Sequence, residues 1–171
     1  MSARPVALSI LLVFVAVVIQ TTLFGAGRIQ PLGAAPMLVL AVVVACVRYL
    51  DPEPALLLGF TAGLLLDLLG GSPLGLWAMV HVVIAYLTLR LRHRADEAVP
   101  LVAFGIFLLA LLAQALFLVT STLFGQSLLT TSGLVQQLLI TALYTVIAAA
   151  GVVPAVSRLL RDRSVRTWAR R

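Results

Sequence analysis

Asp67 is the residue whose type and setting most suggest chemistry, because it is an acid within a strongly apolar stretch. It lies in GFTAGLLLDLLGGSPLG, which runs from Gly59 to Gly75 and places glycine or Asp67 at every fourth position. Intramembrane aspartyl proteases need two carboxylates that share a proton, and the other five acids fall in predicted loops or in the C-terminal tail. Hydrolysis is therefore disfavoured, whereas a proton-coupled carrier needs only one membrane carboxylate and stays open.

The remaining reactive side chains do not form a recognisable catalytic or metal-binding set. The sequence shows no Ser, His and Asp combination of a hydrolase and no HExxH motif. Cys46 is the single cysteine, and its apolar neighbours predict a buried core thiol rather than a disulfide or a Cys-based metal site. We therefore predict a protein that is not an enzyme and that uses no metal and no cofactor.

The composition is that of a membrane protein. Of the 171 residues, 62% are hydrophobic and 11% are charged, whereas an ordinary soluble domain has about 25% charged residues. Six apolar segments of roughly membrane-spanning length cover residues 5–24, 34–50, 54–70, 74–90, 99–124 and 133–156. The first resembles a secretory signal, but its length predicts a retained helix. We expect an all-α polytopic bundle of six transmembrane helices over residues 1–157, followed by an Arg-rich cytoplasmic tail over residues 158–171.

The arginines predict how the bundle is oriented. All twelve basic residues are arginine, and loops rich in arginine stay in the cytoplasm. If both termini are cytoplasmic, only Arg28 lies outside, and this placement accounts for the net charge of +6 without nucleic acid. Anionic lipid is the expected partner at the cytoplasmic face. The tail is expected to be a simple flank, with an amphipathic surface helix as the alternative. The residues expected at the cytoplasmic membrane surface are Arg90, Arg92, Arg94, Arg158, Arg161 and Arg163.

Polar side chains within the predicted helices belong to their outer halves, and the inner halves are almost purely apolar. Polar groups are costly in hydrocarbon, about 2.5–3.5 kcal/mol for a central Asp, so these side chains should face the bundle interior. Two interpretations stay open: an outward-opening polar vestibule, or hydrogen bonds between helices without any cavity. The predicted outer polar layer consists of Gln20, Arg28, His81, Gln114, Gln136 and Gln137.

The glycines before Asp67 predict close packing of helices. Gly59, Gly63 and Asp67 lie on nearly one helical face, because residues four apart differ by about 40° around a helix. A small-xxx-small surface of this kind lets a neighbouring helix approach closely. The residues expected to pack helices or to dock a partner are Gly59, Gly63, Asp67, Gly71, Pro73 and Gly75.

The sequence GGSPLG after Asp67 predicts a short outer turn. Ser72 is placed to cap the next helix, and Pro73 is able to open it. Because the turn is short, the third and fourth helices should be antiparallel neighbours. His81 and Arg28 are then the two candidate partners for the Asp67 carboxylate.

The stretch from Gly59 to Leu87, GFTAGLLLDLLGGSPLGLWAMVHVVIAYL, resembles the signature of MreD, the family of rod shape-determining integral membrane proteins of bacteria. The size, the six spans and the predicted cytoplasmic termini agree with that family over the whole chain. The matching positions are Gly59, Gly63, Leu64, Asp67, Pro73, Leu74, Gly75 and Tyr86. The chain departs from the family where many members open the second helix with Pro and an acid or amide, because here Met37 follows Pro36.

The resemblance implies a non-enzymatic scaffold of lateral cell-wall synthesis that controls rod shape in the bacterial cytoplasmic membrane. It implies an MreC-like bitopic partner with a periplasmic domain, within a complex that includes MreB filaments, a SEDS-type glycosyltransferase and a class B penicillin-binding protein. The family is also similar in fold to the substrate-binding subunits of energy-coupling-factor transporters. The alternative function is therefore that of such a subunit, with a small-ligand pocket in the outer polar layer.

Overall fold

The structure, a computed structural model, describes residues 3–25, 34–92, 99–125 and 133–161. Within these ranges the chain forms six helices and no strand, which confirms the predicted all-α architecture. The helices are α1 (Ala3–Leu23), α2 (Leu38–Val47), α3 (Pro52–Gly70), α4 (Leu76–Leu91), α5 (Val99–Leu123) and α6 (Leu134–Arg161). In the described part, α1, α3, α5 and α6 are long and apolar enough to cross a membrane, and α2 and α4 are shorter apolar helices.

The two ends of the bundle differ in their polar side chains. Gln20 of α1, Gln114 of α5 and Gln137 of α6 line one cavity, and we call this end the glutamine end. Arg48 and Arg92, which follow α2 and α4, line another pocket at the opposite end, which we call the arginine end. The side of the membrane that each end faces remains a prediction from the positive-inside rule.

α2 is the central helix of the bundle. It contacts each of the other five helices, and all of its residues from Val39 to Val47 are buried. A helix that is apolar on every side is stable only when other elements surround it. The sequence LVLAVVVACV therefore suits the centre of the bundle. Residues of α2 belong to both hydrophobic clusters of the core.

α2 is shorter than the apolar segment predicted for it at residues 34–50. Residues 34–37 are not helical, and the helix begins at Leu38. Just before it, the Met37 N–H donates to Thr145 Oγ1 of α6 at 3.0 Å. The ten-residue helix is about 15 Å long, about half the thickness of the hydrocarbon core. Non-helical backbone at membrane depth is tolerated where it is buried in protein and finds partners, and the Thr145 contact provides one.

α3 and α4 form the most extensive helix pair, an antiparallel hairpin. Gly59 and Gly63 of α3 are buried against the backbone of α4. A Cβ atom at Gly59 would lie 2.7 Å from the carbonyl oxygen of His81, and one at Gly63 would collide with the backbone of Trp77 and Ala78. The glycine face therefore makes a contact within the chain, and α4 covers it.

The residues of two turns determine where α3 and α4 begin. Asp51 is extended and Pro52 is the first residue of α3, as the DPEP sequence predicts. The prediction that Pro73 opens the fourth helix is wrong, since α4 begins at Leu76. Gly75 has a φ of 97°, and this left-handed conformation interrupts right-handed helical geometry immediately before Leu76.

The outside of the bundle is apolar, as expected for helices that face lipid. Phe14, Leu57, Phe104 and Ile147 lie on four different helices and are all exposed. Extended exposed apolar surface of this kind marks contact with a membrane or a partner. α6 continues past residue 157, where we expected the tail to follow, and residues 162–171 lie outside the described ranges.

Candidate functional site

Asp67, near the end of α3, caps the beginning of α4. Its side chain is 2% exposed, and its two oxygens accept four hydrogen bonds. The backbone N–H groups of Gly75, Trp77 and Ala78 donate three of them, at 2.9, 3.2 and 3.3 Å, and Ser72 Oγ donates the fourth at 2.7 Å. The first N–H groups of a helix have no partner within it and favour a negative charge. The carboxylate supplies the acceptors that this end of α4 lacks.

This cap is not the one that the sequence predicts. The prediction that Ser72 caps α4 is wrong, because its hydroxyl donates to the Asp67 carboxylate instead. His81 does not hydrogen-bond with Asp67, and its Nδ1 bonds the carbonyl oxygen of Trp77 at 2.9 Å. Arg28, the other candidate partner, lies outside the described residues. Since Asp67 is the acceptor in all four of its hydrogen bonds, it has a structural role in this arrangement.

Two glycines let the chain between α3 and α4 fold back onto Asp67. Gly71 follows α3 with a φ of 74°, and Gly75 precedes α4 with a φ of 97°. Residues with a side chain rarely adopt these conformations. Pro73 lies between the glycines, and its carbonyl accepts the Leu76 N–H at 3.4 Å. The acid, the glycines and the proline of the sequence motif thus belong to one turn around the cap.

His81 is buried within the bundle and does not line a polar vestibule. Because a carbonyl oxygen only accepts, the Nδ1 that bonds Trp77 carries a proton. The buried Nε2 atom meets no hydrogen-bond partner among the described residues. The Trp77 ring lies edge-on to the imidazole, with 5.7 Å between the ring centroids. His81 is therefore a packing residue of α4.

A cavity of about 350 Å³ opens at the glutamine end. Gln20, Gln114 and Gln137 reach its wall from three different helices. Trp77 and Phe117 stack beside them, with centroids 4.1 Å apart and ring planes 14° apart. The lining consists of Gln20, Phe24, Ala35, Pro36, Met37, Trp77, Gln114, Phe117, Leu118, Leu134, Gln137, Leu138 and Thr141. This end of the bundle therefore holds a mixed amide and aromatic site.

The hydrogen bonds of two glutamines fix how their amides are oriented. Gln20 Oε1 accepts the Val39 N–H in the first turn of α2 at 2.9 Å, which leaves its NH₂ group as a donor. Gln114 Nε2 donates to the carbonyl oxygens of Ala110 at 3.1 Å and Leu138 at 3.2 Å, which leaves its Oε1 as an acceptor. Gln20 and Gln114, which both line the cavity, thus keep an amide NH₂ group and an amide oxygen available on different helices.

The predicted polar layer contributes three of its six residues to the cavity. Gln136 is exposed and does not belong to the lining, although it is the neighbour of Gln137. His81 lies in the protein interior, and Arg28 lies outside the described residues. The interpretation without any cavity is wrong, although Gln114 does join α5 to α6 by a hydrogen bond and also lines the cavity. That the cavity opens outward stays a prediction.

The sequence did not predict that aromatic residues line the cavity. Trp77 and Phe117 lie in strongly apolar segments, where an aromatic side chain is as compatible with lipid contact as with a cavity. The available signal was the depth of Trp77, which lies one helical turn before His81 on α4. The sequence does not reveal helix rotation, so this depth alone could not place the ring beside the glutamines.

The predicted membrane-surface arginines lie at the arginine end where the structure describes them. Arg90 Nε donates to the Tyr86 hydroxyl at 3.1 Å, and its guanidinium lies 5.2 Å from the centre of that ring. Arg92 donates to the carbonyl oxygen of Leu50 at 3.1 Å. Arg158 is exposed on α6, and Arg161 is the last residue of that helix. Arg94 and Arg163 lie outside the described ranges.

The comparison with protein families is decisive. A family model for the rod shape-determining protein MreD matches residues 2–163. The chain belongs to the MreD family. Membership of the MreD family agrees with an integral membrane protein that acts in rod shape determination. No curated protein and no solved structure matches the chain, so the fold similarity to transporter subunits stays an expectation.

Proposed function

We propose that this protein is a non-enzymatic scaffold of lateral cell-wall synthesis in the bacterial cytoplasmic membrane, and that its glutamine end receives an MreC-like bitopic partner. The observation that carries the proposal is the cavity lined by Gln20, Gln114 and Gln137. Family membership supplies the process, rod shape determination, and the cavity supplies a place where a partner segment fits. MreB, the SEDS-type glycosyltransferase and the class B penicillin-binding protein would join the same complex.

The chemistry of the cavity favours a neutral peptide segment. None of the described residues that line it is charged. The donor on Gln20 and the acceptor on Gln114 complement the C=O and N–H groups of a peptide bond. Trp77 and Phe117 add an aromatic surface for an apolar side chain. A partner segment that leaves the membrane at the depth of the cavity would offer peptide groups to the glutamines and an apolar side chain to the aromatic rings.

The proposed orientation places the glutamine end on the periplasmic side. Eleven of the twelve arginines lie inside when both termini are cytoplasmic, which is the distribution that the positive-inside rule favours. An MreC-like partner has its folded domain in the periplasm, so the segment between that domain and its membrane helix would lie near the cavity. The arginine end would then face anionic lipid and the cytoplasmic components.

Gln137 and Gln136 provide a matched pair to test partner docking. They are adjacent and both exposed on α6, but only Gln137 lines the cavity. We expect Gln137→Ala to lower capture of the MreC-like partner from detergent-solubilised membranes by about tenfold, since a buried polar contact contributes about 1–2 kcal/mol. Gln136→Ala should leave capture unchanged. Equal capture by the two variants at equal expression would contradict docking at the cavity.

The transporter-subunit function remains a second candidate because of the volume of the cavity. About 350 Å³ falls at the lower end of the range for small-molecule sites, roughly 300–1,000 Å³. Native mass spectrometry of the purified protein and ligand-induced thermal stabilisation test this function directly. Tight one-to-one binding of a vitamin would overturn the scaffold proposal, whereas stabilisation by the partner alone would support it.

A further inference from the structure

A second pocket, separate from the glutamine cavity, lies at the arginine end. Its volume is about 270 Å³, and it runs between the end of α4 and the first half of α5. Leu101, Phe104 and Leu108 line its α5 side, and Leu91 lines its α4 side. We call this pocket the α4/α5 groove. Its walls are apolar along about 10 Å of α5, given the helical rise.

Two arginines border the groove, whose own surface is almost entirely apolar, so they line it with their aliphatic stems. Arg48 follows the last residue of α2 and Arg92 follows the last residue of α4, and both belong to the lining. Arg92 is held in place by its bond to the Leu50 carbonyl oxygen, which uses one of the five guanidinium donors.

We propose that the α4/α5 groove binds one anionic phospholipid, with the phosphate at Arg48 and Arg92 and an acyl chain along α5. Guanidinium groups match phosphate oxygens in charge and geometry. The apolar walls match a hydrocarbon chain, and the groove lies in a protein whose outer surface contacts lipid. A soluble anion would use the arginines but leave the walls without a partner, so the lipid accounts for both features.

The geometry of Gly105 offers a way to close the groove without disturbing the fold. Gly105 lines the groove, and a Cβ atom added to it would meet no atom within 4 Å. Gly105→Leu should therefore fill the groove and, since leucine is a stronger helix former than glycine, should not destabilise α5. Gly151 on α6 also has open space but does not line the groove, so Gly151→Leu is its matched control.

The test is competitive lipid binding to the purified full-length protein, counted by native mass spectrometry. Phosphatidylglycerol should bind at least about tenfold more tightly than phosphatidylcholine, because the choline ammonium of the zwitterion offsets the phosphate charge and repels the two guanidinium groups. Arg48→Gln and Arg92→Gln should remove this preference. Arg90→Gln is the charge control, since Arg90 lies two residues before Arg92 but contacts Tyr86 and does not line the groove.

The outcomes separate lipid binding from its alternatives. Loss of the bound phosphatidylglycerol in Gly105→Leu but not in Gly151→Leu would support the site even if the Arg92 variant proves unstable. Equal binding of the two lipids, or an equal loss in the Arg90 and Arg92 variants, would overturn it. Displacement of the lipid by inorganic phosphate alone would identify a soluble anion as the ligand and would also overturn it.

Discussion

At the scale of single residues, side chains from other helices complete the beginnings of the two short helices. Asp67 of α3 accepts N–H groups at the start of α4, and Gln20 of α1 accepts the Val39 N–H of α2. Thr145 of α6 accepts the Met37 N–H just before α2. Unpaired backbone groups are especially costly in a membrane. These polar residues therefore stabilise helix ends that lie inside the bundle.

Replacement of Asp67 by Asn should destabilise the fold. An amide keeps one acceptor oxygen and turns an NH₂ group toward backbone N–H donors, so at least one buried donor loses its partner. We expect a loss of at least about 2 kcal/mol in the free energy of unfolding, measured by thermal unfolding in detergent. Glu53→Gln makes the same change at an exposed acid of α3 and should have little effect. Equal stability of the two variants would contradict the capping role.

The sequence could indicate that Asp67 is structural, but not which atoms it contacts. The missing second carboxylate and the glycine ladder are visible in the residues themselves. The cap depends on Gly71 and Gly75 adopting positive φ angles, which bring the turn back over α3. GGSPLG is compatible with several turns, and Ser72 has the residue type of an ordinary helix cap. Only the fold decides between a local cap and one supplied by the preceding helix.

At the scale of helices, the hairpin of α3 and α4 depends on glycine at two positions. The backbones of α3 and α4 approach so closely at Gly59 and Gly63 that no Cβ atom fits without a shift. Such contacts gain from van der Waals packing of many atoms, which is the main attraction between helices in lipid. The face that was expected either to pack helices or to dock a partner is therefore occupied within the chain.

Gly63→Ala should separate the two helices of the hairpin. The added methyl group would collide with the backbone of Trp77 and Ala78, which cannot rotate away as a side chain can. We expect a loss of about 1–3 kcal/mol or more, seen as a lower unfolding temperature. Gly70→Ala is the control, because its Cβ would meet no atom within 4 Å. An undiminished unfolding temperature in Gly63→Ala would show that the helices are farther apart than the structure has them.

The apolar pattern predicted the existence of all six helices but not the length of α2. Hydropathy reports that residues 34–50 are buried, and it does not distinguish a helix from buried extended chain. The start of α2 is set by contacts with Gln20 on α1 and Thr145 on α6. The three glutamines of the cavity were identified from their depth, but Gln136 was not distinguished from Gln137, since that requires the rotation of α6.

At the scale of the whole molecule, the distribution of charge predicts which end faces the cytoplasm. The arginine end should lie inside and the glutamine end outside. Leu74, in the turn between α3 and α4, is exposed at the glutamine end, and Tyr49, after α2, is exposed at the arginine end. Cys46, the native cysteine, is buried. These positions allow the orientation to be measured with single added thiols.

Leu74→Cys should react with a membrane-impermeant maleimide in intact cells, and Tyr49→Cys should react only after the membrane is permeabilised. The unmodified protein is the control, since its buried Cys46 should stay unlabelled in both conditions. Labelling is read as a mass shift of the purified protein. The reverse pattern would show that the arginine end faces outward, and it would remove the glutamine cavity from the periplasmic side.

The cap that Asp67 places on α4 also bears on how the chain enters the membrane during synthesis. If α4 inserted alone, its first N–H groups would lack the carboxylate that accepts them in the folded bundle. The acceptor is on α3, which is made first and is joined to α4 by a turn of a few residues. We therefore expect the two helices to leave the insertion machinery side by side as one unit, with α3 acting as an intramolecular chaperone for the helix that follows it.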